Sequence, residues 1–578
     1  MINSKKTSRF ENIFLDKWHP YFWILLLGTL LYIQVLSFNY IPLDDRLLIV
    51  DNFDFLSDFK NFFQAFKQDV FKVAGQESSK LYYRPTVTLS LMIDANIGGI
   101  SPFIYHFSNL IFHLTASCLL FVFIKKLEYS RDLALFFSLF FTVHPALAQA
   151  VAWVLGRNNS LLTIFALSTF ICFFNYLKTQ KWRYYFLHLL FFALSLYTKE
   201  SAVVIVVLLL FYIYFIKMRV APPTQETPQP VKKRRNGEKV YIYHKILLFA
   251  GWFIIIITWF FLRNLALGSQ KIPLIDIVKD IFFNFPVLLK YIGNIIFPIN
   301  LSGFPTVKDT NYMLGICALI LLIVVLWFTK RRRYHFILFG ICWFVLFLLP
   351  SFAAISIFPS IFNHRLHLAI IGIIIVLMET GLVQKLKTKK LLFKVGIPIL
   401  LVMSVAAFIH SRSFRNDFYF WKNVTRTSPH LSMAHAHLGE QYLNRGAIDH
   451  AISEYKKAVD LNPKERGVHN TLGVIYANRN MHKEAEKEFK EEILFYPKSV
   501  EPVFNLAHLY YIQKKFKLTE ELLKKTIQIN PEYIKGYETL AIFYLNQKRY
   551  PEARYYVEQL KRKGVKIRPE LLKGVGLK

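Results

Sequence analysis

Between residues 19 and 410 the chain returns eleven times to long apolar runs, and these constrain its fold more than any other feature. A run near or above 18 residues can cross about 30 Å of hydrocarbon, where a helix satisfies its own backbone polar groups. The runs fall near 19–38, 102–124, 132–148, 159–177, 183–198, 201–216, 246–263, 312–329, 335–357, 366–384 and 391–410. They predict an all-α, polytopic membrane helix bundle of about eleven spans. With 54% hydrophobic and 17% aromatic residues over 578 positions, the chain is too apolar for a soluble enzyme with one core.

The formal charge of +33 does not point to nucleic acid, because the basic residues are dispersed between the apolar runs instead of gathering on one face. They cluster at 1–17, at Lys125, Lys126 and Arg131, at Lys178, Lys181 and Arg183, at 232–235, at 330–333 and at 385–394. If the eleven runs alternate, every cluster lies on one side, which predicts a cytoplasmic N-terminus and an external C-terminus. The first run follows Lys5, Lys6, Arg9 and Lys17 without a small-residue cleavage site and is expected to stay as a membrane helix. The stretch 281–299, with Asn284, Lys290 and nearby prolines, would break the alternation and is expected to lie partly embedded or along the surface. Segment 217–245, rich in Pro, Thr and Gln around 221–230, is expected to be a cytoplasmic linker. Cys118, Cys172, Cys317 and Cys342 all sit in apolar runs without metal or disulfide spacing.

Ionisable residues at the ends of the runs then gather on the outer face. Asp44 and Asp45 follow the first run in a predicted outer loop, 39–101, that also holds Arg84. His144, Arg157, Lys199, Glu200, Arg263 and Arg365 join them. Charges at membrane helix ends are costly unless paired or wetted, so convergence on one face implies a site.

From about residue 415 the composition turns polar. Pro429, Pro463, Pro497 and Pro531 recur 34 residues apart, and Gly439, Gly473, Ala507 and Ala541 keep the same register. Tyr442, Tyr476, Tyr510 and Tyr544 follow, and Ala451, Ala485, Thr519 and Ala553 complete the pattern. This is the tetratricopeptide spacing, in which small residues let paired helices approach and proline ends the second helix. It predicts an α-solenoid of about four repeats over 412–578, led by a helix at 416–427 and placed outside the membrane.

A series of short motifs runs along the chain, beginning with Tyr40-Ile41-Pro42-Leu43-Asp44-Asp45 with Asn52, then Tyr83-Arg84-Pro85-Thr86 with Tyr105-His106 through Asn109 to His113. Val143-His144-Pro145, Ala150-Val151-Ala152-Trp153 through Gly156-Arg157, Thr198-Lys199-Glu200 and His364-Arg365-Leu366-His367-Leu368 continue it. In this order the motifs resemble those of the transmembrane and tetratricopeptide-repeat proteins, similar to O-mannosyltransferases of the multi-span GT-C class. The sequence departs where the family carries Glu at the positions of Gln149 and Asn363, Tyr at His367 and Leu-Pro at Ala369-Ile370.

The resemblance implies a GT-C-like transferase domain over 1–411 that moves a sugar from a polyprenyl-phosphate carrier to an acceptor on the outer face. It implies inversion, with Asp44 or Asp45 as base. Arg84, Arg157 and Arg365, backed by Arg263 and Lys199, would take the phosphate. His106, His144, Glu200 and His364 would contact substrate. No cofactor or metal is required, although a divalent ion bridging Asp44 and Asp45 would suit a diphosphate donor. The repeats are expected to recruit an acceptor protein by a Ser or Thr, and the membrane itself supplies the lipid partner. Bacterial inner membrane with periplasmic repeats is the expected location, or a lumenal placement in a eukaryote. The alternatives are a non-enzymatic scaffold whose repeats bind envelope proteins, and a transferase acting on glycan or lipid.

Overall fold

A computed structural model describes residues 11–73, 82–217, 231–268, 274–330, 332–352, 360–385 and 389–577. Helices dominate the described residues, with one isolated bridge between Thr306 and Ser360. The chain divides into two compact units, 1–428 and 429–578.

Among the described residues of the first unit, six helices are long and apolar enough to cross a membrane: His19–Ser37, Pro102–Lys126, Val154–Thr179, His244–Leu267, Tyr334–Phe352 and Lys394–Phe414. The chain is therefore a multi-pass membrane protein. The expected eleven crossings divide unevenly. The run at 132–148 is broken, with Arg131–Val143 and Pro145–Ala152 bent by 53°. Proline causes the break: the residue before it, His144, is forced into extended backbone at φ −70° and ψ 122°. The runs at 201–216, 312–329 and 366–384 fold as shorter apolar helices, Glu200–Ile216, Met313–Trp327 and Asn363–Met378, and 183–198 as the 17-residue Trp182–Thr198.

The segment at 281–299, expected to lie partly embedded or along the surface, is divided: Phe282 and Phe283 are exposed, whereas the stretch after Pro286 packs into the unit. Helices Leu274–Asn284 and Val287–Ile296 meet at Pro286, and Tyr291, Asn294 and Ile295 are buried. Glycine allows it: a Cβ on Gly293 would stand 2.9 Å from the Gly315 nitrogen, so only paired glycines let these backbones touch. The 217–245 linker lies partly outside the described residues; from Val231 the backbone is already helical, running to Leu267. The helix expected to lead the repeats, Asp417–Thr427, belongs to the first unit. Asn423 accepts from the Gly303 N–H at 2.8 Å, and the Ser428 hydroxyl donates to the Phe304 carbonyl at 3.0 Å.

The second unit holds four antiparallel helix pairs, from Ser432–Leu443 with Ile448–Leu461 to Ile534–Asn546 with Tyr550–Arg562, closed by Pro569–Gly574. Gly473 shows why the small-residue register matters. A Cβ there would meet the Phe489 ring at 2.6 Å, so the first helix of that repeat can rest on the aromatic of the second only as glycine.

Candidate functional site

The break at His144-Pro145 creates the floor of the site. Residues 145–156 run as short turns of helix before the Arg157–Thr179 helix begins, and all of them are buried. Non-helical backbone at such depth needs side-chain partners. The Asn109 amide supplies them, donating to the carbonyls of Trp153 at 2.9 Å and Val154 at 3.0 Å. Gly156 is required here, because a Cβ would lie 2.8 Å from the Ala150 Cα. Gln149 pins two further loops, donating to the Gly303 carbonyl at 3.0 Å and accepting from the His364 N–H at 3.1 Å. A glutamate could accept from His364 but could not donate to Gly303.

Above this floor lies a cavity of about 350 Å³, with Asp44, Arg84, Lys199, Glu200, His364 and Arg365 as its ionisable lining and Trp153, Phe304 and Phe362 as aromatic walls. Each polar group arrives from a helix end. Pro85 starts the Pro85–Gly98 helix and holds Arg84 outside it. Lys199 is the extended residue between Thr198 and the turn at Glu200. Arg84 pairs with Glu200 at 3.3 Å and lies 4.5 Å over the Tyr82 ring. The Lys199 ammonium donates to Asn159 Oδ1 at 2.8 Å, and Arg365 donates to the Ser360 carbonyl at 3.2 Å.

The two neighbouring aspartates play different parts. Asp45 is fully buried, and its oxygens accept from the N–H of Ile41 and of Leu155, each at 3.3 Å, joining the outer loop to the floor. Asp44 lines the cavity. Burial pushes the Asp44 carboxyl above its ordinary value, against the attraction of Arg84. Burial also lifts Asp45 to about 7, opposed by the Ile41 hydrogen bond and reinforced by the Asp44 charge. The Lys199 ammonium is driven down to about 7 by burial and then by repulsion from Arg84 and Arg365.

The other expected site residues stand elsewhere. Arg157 is fully buried and paired with Asp94 at 2.7 Å, with its second nitrogen on the Tyr105 carbonyl at 2.9 Å. His144 caps the turn that follows it, accepting from the Ala146 N–H, and its other nitrogen meets the Ile295 carbonyl at 2.9 Å. His106 is buried in the Pro102–Lys126 helix against Phe38, and Arg263 lies along the His244–Leu267 helix. None of these four lines the cavity. Among the described residues no three His, Cys, Asp or Glu side chains converge to hold a metal.

Four buried polar atoms have no hydrogen-bond partner among the described residues and belong to this one cavity's lining: Arg84 Nε, Glu200 Oε2, His364 Nδ1 and Trp153 Nε1. Buried polar atoms are nearly always satisfied, so a cluster of exceptions marks where a polar ligand completes the set. Trp153 and Asn158 were absent from the sequence-based list. Asp94 was readable in principle, as an acid inside an apolar helix that needs a buried cation nearby.

Residues 85–224 match the family described as dolichyl-phosphate-mannose-protein mannosyltransferase, and 434–465 match a tetratricopeptide repeat. A protein named Protein O-mannosyl-transferase TMTC2 from Mus musculus is 30% identical over 27% of this chain and 18% of its own length. Protein O-mannosyl-transferase Tmtc1 from Drosophila melanogaster is 27% identical over 31% of this chain and 20% of its own. The matched stretch thus spans about a fifth of these relatives. A solved chain described as Functional Characterization of Pseudomonas Aeruginosa pilF is similar over 27% of this chain and 70% of its own, at 20% identity and a TM-score of 0.25.

Proposed function

We infer that this chain, which joins a mannosyltransferase-like membrane bundle to tetratricopeptide repeats as its transmembrane and tetratricopeptide-repeat relatives do, is a membrane glycosyltransferase. It moves a sugar, mannose on the names of its relatives, from a polyprenyl-phosphate donor to a Ser or Thr hydroxyl of a protein. The observation that carries this reading is the convergence of three cations, the two carboxylates Asp44 and Glu200, and four unsatisfied polar atoms on one cavity.

Arg84, Lys199 and Arg365 receive the donor phosphate, guanidinium forks matching its oxygens. Asp44 takes the acceptor hydroxyl's proton as that oxygen attacks the anomeric carbon. The bond from that carbon to the phosphate oxygen breaks, and polyprenyl phosphate leaves with the electron pair. Attack from the face opposite the leaving group inverts the anomeric centre. Raised by burial, the Asp44 carboxylate is a stronger base than a solvated one, which suits proton abstraction. Glu200 orients Arg84, and Asp45 positions the loop that carries Asp44. Arg157 acts through Asp94 to hold the floor and does not touch substrate. The cavity opens on the extracytoplasmic face, with the N-terminus inside and the repeats outside, in a bacterial inner membrane. The repeats hold the acceptor protein.

The test is transfer of labelled sugar from a polyprenyl-phosphate donor to an acceptor protein by purified full-length protein. Asp44→Asn lowers kcat about 10²- to 10⁴-fold, the range of a lost general base. Arg84→Gln raises the donor KM. Undiminished transfer by Asp44→Asn removes that carboxylate from the chemistry. Deleting 429–578 lowers transfer to folded acceptor proteins more than to short Ser/Thr peptides. An equal loss on both denies the repeats their recruiting role.

A further inference from the structure

A second cavity, of about 710 Å³, lies at the other end of the same helices. The Pro102–Lys126 helix passes the floor of the first site, where Asn109 donates to the Trp153 carbonyl, and its last residues, Lys125 and Lys126, line the second cavity. From Asn109 to Lys125 the helix rises about 24 Å at 1.5 Å per residue, so the two cavities lie toward opposite ends of it. The Arg157–Thr179 helix repeats this layout, with Asn158 lining the first cavity and Phe174 and Lys178 the second, about 30 Å farther along at 1.5 Å per residue.

The walls of the second cavity are aromatic, from Tyr21, Phe121, Phe174 and Tyr212, and its rim is basic. Lys125 and Lys178 are exposed, Lys126 donates to the neutral amide of Asn175, and no carboxylate among the described residues pairs with any of the three. Arg333 also reaches the cavity, but Glu379 already closes it at 2.6 Å. Glu128 is the one carboxylate among the described lining residues. On the turn that carries Tyr21, Trp18 and Phe22 stand 60% and 41% exposed, an aromatic surface of the kind that suits a membrane interface.

We propose that this cavity binds the phosphate of an anionic glycerophospholipid from the leaflet at the lysine-rich end of the bundle, with its acyl chains against the exposed helix faces. A soluble phosphate has the charge for the lysines but no use for the aromatic walls or the lipid-facing apolar surface. A zwitterionic lipid fits the walls but brings no net charge to three unpaired ammonium groups. Basic pockets between membrane helices are suited to anionic headgroups, each lysine contributing about fivefold in affinity.

The experiment titrates dioctanoyl-phosphatidylglycerol, dioctanoyl-phosphatidylcholine and inorganic phosphate into the detergent-purified full chain by calorimetry. The expected result is saturable binding of phosphatidylglycerol, at least tenfold weaker binding of phosphatidylcholine, and no competition by millimolar phosphate. Lys125→Gln/Lys178→Gln, which leaves Lys126 on Asn175, weakens phosphatidylglycerol binding roughly 25-fold. Glu128→Gln tightens it, and Arg84→Gln, in the other cavity, leaves it unchanged. Elution volume and thermal unfolding equal to wild type certify that the variants are folded. Equal affinity for both lipids, or full affinity in the double variant, overturns the proposal. So does phosphate competing as effectively as the lipid, which assigns the cavity to a soluble anion.

Discussion

Ion pairs in the two units of this molecule are made of the same side chains and do different physical work. In the membrane unit Arg157 and Asp94 meet at 2.7 Å with 0% and 4% of their side chains exposed. In the solenoid Lys524 and Glu520 meet at the same 2.7 Å with 44% and 22% exposed. The solenoid pair also has copies: Lys490 with Glu486 stands one repeat earlier, and Tyr510 and Tyr544 donate to those two glutamates in turn. Repetition spreads the polar contribution over many wet contacts of small value. Burial concentrates it in one dry contact whose loss strands a charge. Function follows that division, because the unsatisfied polar atoms of the cavity are found in the unit where such atoms cost most.

The contrast is broken most directly at Arg157. Asp94→Ala leaves that guanidinium buried without its acid and should destabilise the membrane unit by about 3–5 kcal/mol, read as loss of monodisperse protein or of thermal stability in detergent. A variant as stable as wild type means that water reaches Arg157. Packing in the solenoid should respond less. Gly473→Val drives a methyl into the Phe489 ring and costs about 1–3 kcal/mol in denaturant unfolding of the repeats. No change would show the helix pair able to spread.

Lys199 sharpens the contrast through pH. Its ammonium is held down to about 7, so on the proposed phosphate-binding role donor affinity should be full well below 7 and fall as pH rises through it. Lys199→Arg, which stays charged, should move the alkaline limb of kcat/KM upward with its acid limb unmoved. If the limb stays where it was, another group sets it. Smallest of all, Lys524→Gln should cost about 0.2–1 kcal/mol, less still at high salt. A loss as large as that of Asp94→Ala would erase the distinction between the units.

Much of this organisation was legible in the residues. Proline at 34-residue intervals and glycine in register with it are local signals, and the solenoid follows them helix by helix. Arg84, Lys199, Glu200 and Arg365, singled out at the ends of apolar runs, and His364, which the family resemblance added, come together around one cavity with Asp44. Arg157 and His144 looked equivalent to them and are not, because a charge at a helix end reads the same in sequence whether it faces a cavity or a buried partner. The crossings were less legible. Hydropathy marks the run at 132–148 but not its fold-back at Pro145, nor the use of 287–296 as packing.

The sequence by itself determined a two-part molecule, apolar bundle then repeat, because apolar length and repeat period are properties of neighbouring residues. It also determined which ionisable groups stand at the helix ends. Only the tertiary structure separated Asp44 from Asp45 and Arg84 from Arg157. Asp45 finds its Leu155 partner 110 residues away, Arg84 finds Glu200 across 116 and Arg157 finds Asp94 across 63. Burial and partnership at such separations arise when helices pack, and they decide which charge is held by the protein and which is left for a ligand.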